Sequence, residues 1–547
     1  MPLPMKLSAK TLHSFLGCPG RRKFVSALAG LLLLTLGFSL QSVAGPGAGH
    51  RIATGTPGVP DVTNSNTQLI VTANFAIANG VAQNTVVAHI VDGTGAPVVD
   101  SAVTFTITGF GISPVIYTDG SGNATFSFSN TIAGNFYVTA TVNVLGVGIN
   151  QPIAFGGTNG KVTVTFVAGP VSYTAPSTYI IPTSTGAIAD GVSQDGVKVH
   201  VTDANGNVIQ GATVVFSIFS GTGTFVGTTT VTTDAAGVAA IPIVSTVAGQ
   251  VDITATINGI SVINGNTANV TFVAGPPTVS APTTQLTEMT TGAVANGIAT
   301  NSVNAHITDA QGNPVAGQAI IFAISSGTGT FVGTTTVTTD ASGNASISLT
   351  STVAGQVNVT ATLNGNTLSS GVPPPNVVFV AGPPDVTNPS TTLVENTTGA
   401  VADGAATNSV KAHVVDKYGN PVANQAVTFA IFSGTGNFVG SATVTTDVNG
   451  NAIITLTSTV AGTVGITATV GGNAITNGSS PADVIFVAGP PSTSSPLTTL
   501  TENTTGAVAD GVATNSVKAH IADAQGNPVA NQTVTFAITS GTGTFVG

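Results

Sequence analysis

Five histidines recur along this chain, His89, His200, His306, His413 and His520, separated by 111, 106, 107 and 107 residues. An imidazole can ligate a metal or act as a general base near neutral pH. A metal site needs two or three further protein ligands. The only cysteine is Cys18, and Glu288, Glu395 and Glu502 have no counterpart in the first two units. As a base, a histidine needs a nucleophile and an orienting acid around it, yet these five sit in the same local sequence each time. In Ser409–Val415 (SVKAHVV), alternation puts Val410, Ala412 and Val414 on one face and Lys411 and His413 on the other. The histidines are read as half-exposed strand residues. No catalytic, cofactor-binding or metal-binding residue is assigned, and no cofactor.

The carboxylates are the second candidates. Asp-x-x-Gly begins at Asp92, Asp119, Asp203, Asp234, Asp309, Asp340, Asp416, Asp447 and Asp523, two per full unit and one in the last. Asp203-Ala204-Asn205-Gly206-Asn207 resembles the start of a calcium loop. It lacks the glycine at the sixth place and the glutamate at the twelfth. Asp first and Gly fourth is instead the preference of a type I turn, with the carboxylate accepting backbone N–H groups. Asp190, Asp403 and Asp510 precede glycine at an earlier turn, where Asn79 and Asn296 substitute. The Gly221-Thr222-Gly223 segment and its copies precede strands rather than a helix, so they predict no phosphate cradle. Lysine–asparagine crosslinks are discounted as a general device, because Pro276–Gly382 contains no lysine.

The elements that carry these residues repeat. Phe-Val-Ala-Gly-Pro begins at Phe166, Phe272, Phe379 and Phe486, at spacings of 106, 107 and 107. Leu393–Gly440 and Leu500–Gly547 agree at 39 of 48 positions. The period exceeds the ~20–50 residues of solenoid and propeller repeats and equals one small domain. Within a unit, short alternating runs are separated by turn signals: Ser409–Val415, Gln425–Ile431, Ala442–Thr446, Ala452–Thr457, Val464–Val470 and Asp483–Val487. A lead strand near Thr392–Glu395 brings the expectation to about seven strands, a β-sandwich. Units join through Val-Ala-Gly-Pro-Pro, where two prolines stiffen the segment. Short, stiff joints predict an extended rod, about 40 Å per domain and about 150–200 Å in all.

Composition bounds the function. Charged residues are 6% of 547, the mean hydropathy is +0.43 and tryptophan is absent. Lys6, Lys10, Arg21, Arg22 and Lys23 precede the apolar run Val25–Leu40, and Ser42-Val43-Ala44 follows it. This is the pattern of a secretory signal cleaved after Ala44. The arginine pair is read as an ordinary basic n-region rather than a twin-arginine signal. Six basic and 21 acidic residues would remain, a net charge of −15, which argues against nucleic acid as a partner. No other segment is apolar enough to span a membrane.

The ordered motifs ADG…NSVKAH, D-x-x-GNPVA, TVTFA, TTD-x-x-GNA and STVAG-x-V-x-ITA resemble the bacterial immunoglobulin-like group 1 domain, over Thr67 to Gly547. That domain builds the stalks of invasin- and intimin-type adhesins. The resemblance implies an all-β chain of tandem immunoglobulin-like β-sandwiches without the antibody-type disulfide, strung on a bacterial surface. The expected organisation is a signal peptide (1–44), a flexible lead-in (45–66) and Ig-like domains at 67–170 (divergent), 171–277, 278–384, 385–491 and 492–547 (truncated). The expected function is a non-catalytic shaft or spacer of an exported adhesin, extracellular or on the outer cell surface. A host protein or glycan would be bound through a domain not present here. Two alternatives stand beside it. One is a glycan- or protein-binding module acting through domain-end loops, first in the unit Thr67–Pro170 with Phe110, Tyr117, Phe136 and Tyr137. The other is the spacer of an extracellular enzyme whose catalytic domain lies beyond Gly547.

Overall fold

The structure is a computed structural model that describes residues 58–547 apart from 112, 145–149, 263, 265–266 and 369–374. The expected leader and most of the lead-in fall outside the described residues. The chain divides into two compact units, Met1–Val273 and Ala274–Gly547. Every regular element among the described residues is a strand. No helix there is long and apolar enough to cross a membrane.

The repeat containing His413 shows the plan. One sheet runs in the order Thr392–Thr397, Asn408–His413, Asn451–Thr457, Asn437–Phe438. The other places Thr443–Thr445, Ala426–Ser433 and Gly462–Val470 side by side, and Gly462–Val470 also pairs with Asn473–Ala474 and Ala482–Phe486. All seven expected runs are strands. The two additions, Asn437–Phe438 and Asn473–Ala474, are two residues long each, too short to show a period-2 signal. The strand pairings are antiparallel; two isolated parallel bridges, Leu393 to Gly478 and Val401 to Val487, join the first part of the repeat to its last.

The two sheets close on an apolar core because inward and outward residues alternate. Val410, Ala412, Ile454 and Leu456 face Val427, Phe429, Val464, Ile466 and Phe486. Equivalent cores surround Phe105 and Phe166, Phe216 and Phe272, and Phe322 and Phe379. The phenylalanine of each Phe-Val-Ala-Gly-Pro motif is thus the last inward residue of its sandwich. The next residue already points out: Val487 is exposed. In the last stretch Thr499–Thr504 pairs with Ser516–His520.

A buried amide pins the crossover. Asn408 Oδ1 accepts the Ala400 N–H at 3.1 Å, and its Nδ2 donates to Ile485 O at 2.9 Å. Asn84 and Asn301 do the same in their own repeats. In the second repeat the residue is Asp195, whose Oδ2 accepts the Ala187 N–H at 3.2 Å. A carboxylate has no donor for the carbonyl of Thr271 on the closing strand.

Candidate functional site

The structure scatters the candidates for chemistry and gathers the turns. His89, His306 and His413 are half-buried, each with Nδ1 at 2.8–3.0 Å from the side-chain oxygen of Asn123, Asn344 or Asn451. His200 Nδ1 lies 2.7 Å from Ser177 O. Glu288 and Glu395 are exposed on the first strands. No group of three or more His, Cys, Asp or Glu side chains that could hold a metal occurs among the described residues.

The two Asp-x-x-Gly turns of a repeat differ in kind. The second is an exposed hairpin: Asp234 Oδ1 accepts the N–H groups of Ala236 and Val238 at 2.9 Å, and nothing more is asked of it. In the first, Asp203, Asp309, Asp416 and Asp523 are all buried. There Oδ1 makes the same turn bonds, to Tyr418 N at 2.8 Å and Asn420 N at 2.9 Å in the case of Asp416. Oδ2 accepts two more: the Asn420 side-chain amide and the Gly382 N–H, both at 2.8 Å. Gly382 belongs to the Ala-Gly-Pro-Pro linker. One carboxylate therefore holds its own turn and the incoming chain.

The asparagine after the turn glycine reaches the preceding repeat. Asn420 Oδ1 accepts the Ala354 N–H at 2.7 Å and its Nδ2 donates to Thr352 O at 3.0 Å. Asn527 makes the matching pair with Ala461 N and Thr459 O, at 2.7 and 3.1 Å. Asn207 does so with Ala133 N and Thr131 O, at 2.7 and 2.9 Å. In two repeats the third turn position adds a second hold. Asn205 Nδ2 bonds Ala78 O, and the Tyr418 hydroxyl bonds Asn296 O, both at 3.0 Å.

The linker glycine sits between the two repeats with room for a methyl group and little more. A Cβ on Gly382 would lie 3.4 Å from Asp416 Oδ2 and 3.5 Å from Val294 of the preceding repeat. Gly169 and Gly489 sit in the same way against Ile77 and Val401. A longer side chain would wedge the repeats apart.

The electrostatics follow from these bonds. Burial pushes the Asp416 carboxyl up. The Asn420 side chain and the N–H groups of Gly382, Asn420 and Tyr418 outweigh it and hold the group below the ordinary carboxylate value. Asp203 has the same balance with Asn207, Gly169 and Asn205. An ionised aspartate accepting four donors is a satisfied buried charge, which suits a fixed joint and leaves no lone pair for chemistry.

Sequence reasoning missed the clamp. It read every Asp-x-x-Gly alike, as a local turn. A signal was available: asparagine follows the turn glycine at Asn207, Asn313, Asn420 and Asn527, while the first repeat has Ala96 there. The exposed second turns also end in asparagine at Asn123, Asn344 and Asn451, with Val238 in the second repeat, so that signal marks the turn and does not by itself single out the joint.

A family model described as bacterial Ig-like domain (group 1) matches residues 66–167, 179–273, 283–378, 390–487 and 497–547. The inverse autotransporter adhesin YeeJ of Escherichia coli (strain K12) is 29% identical over 413 residues, 73% of this chain and 16% of YeeJ. The chain thus spans a small part of the curated relative it matches. Two solved structures are similar. The Escherichia coli adhesin FdeC is 23% identical, with 59% of this chain and 100% of that one covered and a TM-score of 0.42. Invasin, a bacterial integrin-binding protein, is 20% identical, with 77% and 79% covered and a TM-score of 0.40.

Proposed function

This chain belongs to the bacterial Ig-like domain (group 1) family, and from that premise we propose that it is the shaft of an exported bacterial adhesin, a non-catalytic spacer. The observation that carries the reading is the buried Asp–Asn clamp with its linker glycine. From the second repeat on, it spends a buried charge of each repeat on fixing the incoming linker. A spacer transmits force and sets distance, so its working parts are its joints. At the joint of Asn420, three side-chain hydrogen bonds from the turn meet backbone groups of the preceding repeat. Backbone groups are indifferent to sequence, so the same clamp serves any pair of repeats. The relationship to a curated adhesin supports placement on the cell surface, with a host protein or glycan met elsewhere in the whole protein.

The test is to separate number from identity of repeats in the full-length protein. Deleting one internal repeat should reduce adhesion of cells expressing it. Inserting a second copy of a different repeat should restore it. A defect that only the original repeat repairs would overturn the spacer reading.

A further inference from the structure

The first repeat departs from the others on one surface, the outer face of its larger sheet. Val115 and Tyr117 stand on one edge strand, 53% and 64% exposed, and Tyr137 stands near the centre, 41% exposed. In the register of the other repeats Tyr117 is Thr232, Thr338 or Thr445. Tyr137 is Asp252, Asn358 or Gly465. Nothing in the fold demands the change, since the sandwich forms with threonine and asparagine there.

Phe75 sharpens the case. It is 64% exposed and has φ 65°. Its place is glycine in the other four repeats, Gly186, Gly292, Gly399 and Gly506, with φ between 84° and 98°. The backbone bond is the same in the first four repeats: Phe75 N donates to Thr165 O at 3.0 Å, as Gly186 N does to Thr271 O at 2.8 Å. A side chain in the left-handed region is strained, and an exposed ring returns little of that cost by burial. A strained, solvent-facing phenylalanine where glycine suffices points to a task outside folding.

The register gives the layout. Phe75 lies beside Thr165, which pairs with Asn135, two residues from Tyr137. At ~4.8 Å between strands and ~3.3 Å per residue, the Phe75 and Tyr137 Cα atoms are about 12 Å apart. Ala102 pairs with Tyr117 and the adjacent Val103 with Val142, which puts Tyr117 about 20 Å further along the sheet. Hydroxyls of Thr106, Thr139 and Thr163 lie between the rings. Lys161 borders the inner pair, with Nζ 3.8 Å from the centroid of Tyr137, and the exposed Asp100 lies beside Tyr117, its N–H donating to Thr118 O.

We propose that this face binds a linear acidic polysaccharide. Aromatic rings spaced along a flat sheet stack on separate sugar rings of one chain. The threonine and asparagine groups between them take sugar hydroxyls, and Lys161 meets a carboxylate. A protein partner calls for anchors clustered at the centre of its footprint, and these rings are dispersed. A nucleic acid calls for many cations, and there is one. A small molecule calls for a concave pocket, and the face is open. Lys161, the one lysine or arginine of Thr67–Pro170, favours an acidic group at the Tyr137 end of the face. The inference is independent of the spacer reading, because it rests on one repeat and on no joint.

The experiment is affinity electrophoresis of the full chain in gels containing hyaluronan, alginate or polygalacturonate, with dextran as the uncharged comparison. At least one acidic polymer should retard the chain, and dextran should retard it less. Phe75→Gly relieves the backbone and keeps the fold, as the other repeats show, and Tyr137→Asn copies the third repeat. Each should weaken retardation about tenfold. Lys161→Gln should remove the preference for acidic polymer over dextran. The proposal is overturned if no acidic polymer retards the chain, or if Phe75→Gly and Tyr137→Asn, with unchanged circular dichroism, bind as the parent does.

Discussion

Replacing Asn420 by alanine tests the clamp where its bonds are best defined. The side chain is buried and makes three contacts across or beside the joint: Ala354 N at 2.7 Å, Thr352 O at 3.0 Å and Asp416 Oδ2 at 2.8 Å. If the joint stayed shut, the Ala354 N–H and the Thr352 carbonyl would be left unpaired, at about 1–3 kcal/mol each. If it opens, water satisfies both, and the loss is the net value of two hydrogen bonds, about 2 kcal/mol. Opening is the cheaper course, so the variant should lose coupling between repeats and keep each sandwich. Hydrogen exchange read by mass spectrometry separates the two. Protection of the Ala354 amide should fall about 30-fold, the equivalent of 2 kcal/mol, and the Gly382 amide should follow as Asp416 loses a donor. The Phe429 amide, inside the sandwich, should exchange as before. Unchanged protection at Ala354 would refute the reasoning. So would an equal loss at Phe429, which would make Asn420 a residue of the fold and not of the joint.

Four further outcomes are expected. Asp195→Asn should stabilise the second repeat by about 1 kcal/mol, because the amide supplies the donor to Thr271 O that Asn84, Asn301 and Asn408 supply elsewhere; chemical denaturation checks it. The clamps should loosen in acid: the Asp416 carboxyl is held below 3.8 in the folded state, so its contribution is full above that ordinary value and is lost as pH falls through the lower, folded one. Ala354 exchange followed down in pH should show the loss, and Asp416→Asn should abolish the dependence. Gly382→Leu should separate its two repeats, because the side chain would enter the gap beside Val294 and Asp416; small-angle scattering should report a broader distribution of distances. His413→Gln should change stability by less than about 1 kcal/mol, since its one recorded side-chain bond is to Asn451; a larger fall in denaturation midpoint would contradict a surface role.

What could be read from the sequence was whatever is settled within a strand or a turn. Parity put Val410, Ala412 and Val414 inside and His413 at the surface, and their burial agrees. The same rule, applied to Phe136 and Tyr137, should have split a pair that composition lumped together. Phe136 packs on Phe110 at 5.3 Å and on Phe166 at 5.8 Å, while Tyr137 faces out. Phe110 and Phe136 are therefore poor candidates for a binding surface, and Tyr117 and Tyr137 good ones. The clamp was hidden for a different reason. A type I turn needs only one oxygen of Asp416, so the local pattern was complete without the second. The partner of that second oxygen, Gly382, is 34 residues earlier, and Ala354 is 66 residues from Asn420. Such distances leave no periodic trace. Phe75 was hidden because its meaning lies in a dihedral angle: as a residue type it is one apolar side chain among many, and only against four glycines in the same backbone state does it become costly. Repetition is what makes both visible. Each repeat is a control for the others, so Ala96 for asparagine, Asp195 for asparagine and Phe75 for glycine read as three natural substitutions in one scaffold. The first concerns a joint, the second a fold and the third a surface.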